Sequence, residues 1–191
     1  MSTPGRRAAL AIAVALADWA TALVIGALHL PFLLDSWATS AGVIAGGLGV
    51  GIAGGVLFNA LMAATVWGAR SCVWAASSVL VAYATWLFRR AGWIDIERPF
   101  RLVAAGVLTG LPNACLATAI LSFSFVVRLP DDPNTSAFRD ALRVALGGAR
   151  ASLLMQEIVI EIADKTISLI TAAAVVVLVF ERARSPAARH A

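Results

Sequence analysis

Residues 36–67 read SWATSAGVIAGGLGVGIAGGVLFNALMAATVW, a stretch without one formal charge. As a single helix rising 1.5 Å per residue it would be about 48 Å long, too long for a bilayer core of about 30 Å. It is too short for two full spans and a loop. Seven glycines fall between Gly42 and Gly55, and glycine is a poor helix former. The stretch therefore divides into a short helix over 36–47 and a longer one over 49–67. A short helix at membrane depth has open ends that lipid cannot satisfy. It must be sheltered by protein or line a cavity.

Outward from this stretch, the other apolar runs give one helix each, over 8–29, 71–88, 100–127 and 164–181. The expected fold is an all-α membrane protein with six transmembrane helices, the second one short. It forms a single integral membrane domain over 1–191, with a short cytoplasmic tail at 182–191. Composition agrees: 60% of residues are hydrophobic and 14% charged, against about 45–50% and about 25% in soluble domains. The mean hydropathy is +0.86. A soluble enzyme, a nucleic-acid-binding domain and a disordered chain are excluded. The first run follows Arg6 and Arg7 as a signal peptide would, but it outruns an h-region and leads into further spans, so it is read as a retained helix. Cys72 and Cys115 lie in apolar runs without metal spacing and are expected to be buried.

Arginine orients the spans. With the N-terminus inside, the inner segments hold Arg6, Arg7, Arg89, Arg90, Arg98, Arg101, Arg182, Arg184 and Arg189. The outer ones hold Arg70, Arg128, Arg139, Arg143, Arg150 and Lys165. One unbroken span over 36–67 would put the Arg89–Arg101 cluster outside, which the rule disfavours. Both termini are thus expected in the cytoplasm of a bacterial-type cell membrane. Trp37, Trp67, Trp86 and Trp93 fall at the expected interfaces.

Polar groups at depth are costly and usually have a purpose. Asp18 lies midway along the first helix, Asn59 midway along the third and Asn113 in the fifth, just after Pro112, which frees a backbone carbonyl. The two asparagines either tie helices together or line a ligand cavity. Between 138 and 162 an amphipathic helix is expected before the last span. Arg139, Arg143, Arg150, Glu157, Glu161 and Asp164 fall on one polar stripe at 100° per residue. Leu142, Leu146, Leu153, Leu154, Val159 and Ile160 form the apolar side. The stripe is either a solvated interfacial face or, at its acidic end, faces substrate. G-x-x-x-G pairs at Gly42/Gly46, Gly47/Gly51 and Gly51/Gly55 allow close helix approach. An alanine stripe at Ala9, Ala13 and Ala17 suits docking of a partner helix. No nucleophile elbow, phosphate loop or metal cluster occurs, so neither an enzyme nor a cofactor is expected.

In chain order, LPFLLDS (30–36), GVIAGGLGVGIAGGVLFNAL (42–61), WLFRRAGW (86–93) and EIADKTISLITA (161–172) resemble the substrate-binding S components of energy-coupling factor transporters. The best motif is Glu161, Asp164, Lys165 and Ser168, and the likeness covers about residues 8–181. The glycine-rich turn lacks the G-P dipeptide often found in that group. The resemblance implies a six-helix subunit with an outward-facing pocket for a vitamin or other micronutrient. It also implies a complex with a transmembrane T component and two ABC ATPases, docked through Ala9, Ala13 and Ala17. On this reading the candidate pocket residues are Asp35, Trp37, Asn59, Asn113, Glu157, Glu161 and Asp164, with Asp35 and Trp37 at the outer mouth. The rival expectation is a membrane sensor working with a separate output protein, and a third is an orphan structural membrane protein.

Overall fold

A computed structural model describes residues 3–28, 30, 34–122 and 133–181. The described residues are helical apart from short connections. In order they form α1 (Pro4–Ala27), α2 (Trp37–Gly46), α3 (Leu48–Met62), α4 (Ala75–Arg90), α5 (Pro99–Ser122), α6 (Pro133–Leu146) and α7 (Ala149–Val176). A wide turn of π-helix (Ala63–Trp67) extends α3, a 3-10 segment (Ala69–Trp74) leads into α4, and a second π turn (Val177–Glu181) extends α7. Prolines at the first positions of α1 and α5 supply the φ that a helix start needs. Arg89 and Arg90 close the last turn of α4, where cations suit the helix dipole. Five helices are long and apolar enough to cross a membrane, and the chain is a multi-pass membrane protein. Ten-residue α2 spans only about 15 Å. The tail from 182 on lies outside the described residues.

The break inside 36–67 falls at one residue. Gly47 has φ +92°, a conformation that glycine adopts without a Cβ penalty, and it alone joins α2 to α3. The two helices fold back as an antiparallel hairpin. A Cβ on Gly51 would strike the Val43 side chain, and one on Gly55 would sit 2.7 Å from Ser78 Cβ of α4. A Cβ on Gly54 would strike Val14 of α1. The glycine pairs thus pack helices within the chain.

Both ends of α2 are satisfied by charged side chains from its neighbours. The Asp18 carboxylate of α1 accepts the backbone N–H groups of Ala38 and Thr39, each at 2.9 Å, and the Thr39 hydroxyl at 2.7 Å. At the other end the Arg89 guanidinium donates to the Val43 carbonyl at 3.0 Å. An anion at the N-terminus and a cation at the C-terminus both complement the dipole. α2 therefore starts level with the middle of α1.

Two expectations are corrected. The amphipathic helix over 138–162 is not separate from the last span. The break lies at Gly147, with φ +69°, and α7 runs on without interruption from Ala149 past Asp164. The stripe is therefore divided between two helices, with Arg139 and Arg143 on α6 and Arg150, Glu157, Glu161 and Asp164 on α7. Cys72 and Cys115 are exposed, not buried. In a membrane bundle an apolar residue needs no core, because lipid takes its outer face. α5 continues through Pro112.

Candidate functional site

α7 lies against α5 more extensively than any other helix pair in the bundle. The approach is set by Gly106 and Gly110. A Cβ on Gly106 would lie 2.6 Å from Thr166 Oγ1, and one on Gly110 would lie 2.8 Å from the Glu161 carbonyl oxygen. This fourth small-residue pair, spaced like the others, brings the backbone of α7 onto α5 just where the acidic residues begin. Positions 157, 161, 164, 165 and 168 recur at three and four residues and share a face.

Lys165 is the hub. It is 5% exposed, and its ammonium lies 2.5 Å from Asp164, 3.4 Å from Glu161 and 3.5 Å from Asp35. An ammonium has three donors, and three carboxylates face it here. Asp164 Oδ1 also accepts the Leu34 backbone N–H at 2.7 Å, tying α7 to the α1–α2 connection. Leu34 has φ +48°, so this contact holds a backbone turn that a leucine rarely adopts unaided. On the other side the Asn113 amide donates to Glu161 Oε2 at 2.6 Å and accepts from the Ser77 hydroxyl at 2.8 Å. One polar chain thus runs from α4 through α5 and α7 to the start of α2.

Glu157, 8% exposed, extends the cluster by one turn. It lies within electrostatic reach of Glu161, Lys165 and, on α6, Arg139. The site therefore gathers four carboxylates, Asp35, Glu157, Glu161 and Asp164, around one buried lysine, with Arg139 at its edge. A burial this acidic is costly unless something balances it.

Five of the seven expected pocket residues, Asp35, Asn113, Glu157, Glu161 and Asp164, come together here. Asn59 serves another junction. Its amide donates to the Gly55 carbonyl and to the Ser78 hydroxyl, both at 2.8 Å, tying α3 to α4. Trp37 donates through its indole N–H to Thr21 of α1 at 2.9 Å. That bond and the capping by Asp18 set Trp37 and Asp35 deeper than the outer mouth. Lys165, counted among the outer basic residues, is instead inside the bundle. It and Ser77 were not among the expected pocket residues. The signal for Lys165 lay in its place within the same turn as the acids.

Elsewhere, a hollow of 380 Å³ opens between the start of α1 and the α2–α3 junction, lined by Arg7, Ala11, Gly46, Leu48, Val50 and Ala53. It lies at the arginine-rich end, away from the Lys165 cluster. Ala9 and Ala13 are exposed and Ala17 is half-buried, so the alanine stripe faces outward from the bundle. Among the described residues no group of three His, Cys, Asp or Glu side chains is arranged to hold a metal ion. No family model, curated protein or solved structure matches the chain.

Proposed function

We propose that this chain is a membrane-embedded substrate-capture subunit of the S-component kind, taking a small solute into the cluster around Lys165. One observation carries the reading: a half-length helix, held at both ends by Asp18 and Arg89, delivers Asp35 and the Leu34 N–H to a buried polar chain at mid-depth. Irregular backbone at membrane depth is tolerated only in protein or beside a cavity, and ionisable groups there commonly mark a solute path. The carboxylates, the ammonium and the Asn113 amide would fix the orientation of a bound molecule. No chemistry on the solute is required of them.

The start of α1, the end of α4 and the start of α5 share the arginine-rich end, which by charge bias would face the cytoplasm. The solute would then enter from the opposite side. The outward alanine stripe would meet a T component whose ATPases drive release.

Mass spectrometry of the detergent-solubilised chain tests the capture. A retained small molecule is expected, and Asn113→Ala or Glu161→Ala should weaken its binding at least several-fold. Asn59→Ala should change stability more than affinity. Unchanged affinity in both cluster variants would refute the assignment. For the partner, Ala13→Trp should abolish co-purification with a T component while the chain stays folded.

A further inference from the structure

The Lys165 cluster is saturated at one end and open at the other. Towards α2, Asp35 and Asp164 face the ammonium, and Asp164 also takes the Leu34 N–H. Towards α6, Glu157 receives one hydrogen bond among the described residues, and it is a long one, 3.5 Å from the Gln156 amide nitrogen. That contact turns the Gln156 side chain towards Glu157. Gln156 is itself 5% exposed, and its Oε1 is buried without any hydrogen-bond partner. A buried acceptor left unpaired is costly, and here it stands beside a carboxylate that is also short of donors.

Charge points the same way. Lys165 and Arg139 face four carboxylates, Asp35, Glu157, Glu161 and Asp164. Acids outnumber cations across the cluster, and the place short of N–H donors is the Gln156–Glu157 turn. Resting on the capture reading above, we infer that the captured solute is a small organic cation, an ammonium or amidinium whose N–H groups pair with Glu157 and with Oε1 of Gln156. A purely apolar solute would leave both acceptors unpaired, and an anionic one would also add to the repulsion.

The test uses the full chain in detergent. The molecule that it retains is identified, and thermal stability is then measured with three probes of one shape: benzamidinium, benzamide and benzoate. A retained molecule with a basic nitrogen is expected, as is stabilisation by benzamidinium beyond that by the other two. Glu157→Gln should weaken benzamidinium at least about tenfold, and Gln156→Leu several-fold. Should Glu157→Gln not fold, Glu157→Asp, which keeps the charge and shortens its reach, should weaken it less than Gln156→Leu. A retained neutral or anionic molecule, or benzoate or benzamide binding as well as benzamidinium, would overturn the cation and leave the capture standing. No retained molecule and no stabilisation by any probe would overturn both.

Discussion

Asp18 and Glu157 are both buried carboxylates set in apolar helices, and their surroundings are opposite in kind. Asp18 meets three donors from α2, two of them backbone N–H groups that the helix start leaves orphaned. Its charge is used up by the fold. Glu157 meets one weak donor and the like charge of Glu161, with Arg139 and Lys165 acting on it through their charge. Both are carboxylic acids and both are buried, so neither property distinguishes a structural acid from a ligand-seeking one. The balance of donors against acceptors does. Replacing each group in turn shows how far that contrast reaches.

The largest effect is expected at Asp18. Asp18→Ala leaves the N–H groups of Ala38 and Thr39 without an acceptor at membrane depth. It should cost about 3–5 kcal/mol, read as a large fall in the thermal midpoint or loss of folded protein. A variant within about 0.5 kcal/mol of the parent would show that α2 does not depend on this cap.

Gly110 tests how the open acid end is built. Gly110→Ala puts a Cβ 2.6 Å from Ile162 Cα and 2.8 Å from the Glu161 carbonyl oxygen. Backbone cannot swing aside as a side chain does, so α5 and α7 must separate, at about 1–3 kcal/mol. The separation also pulls Glu161 from Asn113, so affinity should fall with stability. Gly49→Ala is the control, because nothing lies within 4 Å of its Cβ. It should be neutral or slightly stabilising in unfolding measurements. Equal effects at the two positions would mean that close packing does not place Glu161.

What the sequence reveals depends on how local the cause is. The α2–α3 break was legible because length and glycine content act within one stretch, and the turn sits at Gly47 inside the expected range. The α6–α7 break was not. Arg143 and Arg150 are seven residues apart, so the stripe keeps its phase across Gly147 and periodicity alone reports one helix. Five of the candidate pocket residues were legible as polar groups in apolar runs. Their hub was legible only in part: Lys165 stands in the same turn as Glu161 and Asp164, but it reaches Asp35 across 130 positions, and no spacing rule covers such a pair. Asp18 was visible as an anomaly, but the helix it caps begins nineteen positions later, at Trp37, in another span. The pair at Gly106 and Gly110 carried the same signal as the quoted glycines and was overlooked beside their density.

The far end of α2 should respond more weakly than the Asp18 end. Arg89→Met removes one donor to the Val43 carbonyl, which also accepts the Gly47 N–H at 3.0 Å. With that second donor in place the loss should be about 1 kcal/mol, measured as a small drop in thermal midpoint. A loss as large as that of Asp18→Ala would show that the two ends of the half-helix carry equal weight.

The smallest effect on the ligand-free protein, and the most telling, comes from the same chemical change made twice. Asp18→Asn trades one acceptor oxygen for an NH2 group that would face either the Ala38 N–H or the Thr39 N–H, so the fold must lose stability. Glu157→Gln removes a negative charge from a place where Glu161 already repels it, while Lys165 retains Asp35, Glu161 and Asp164 to pair with. Its effect on unfolding should lie within about 0.5 kcal/mol, on the stabilising side. Opposite signs from one isosteric substitution at two buried carboxylates would separate an acid spent on architecture from one held ready for a donor. A clear destabilisation by Glu157→Gln would instead make Glu157 a second architectural acid, satisfied by groups beyond those bonded to it here.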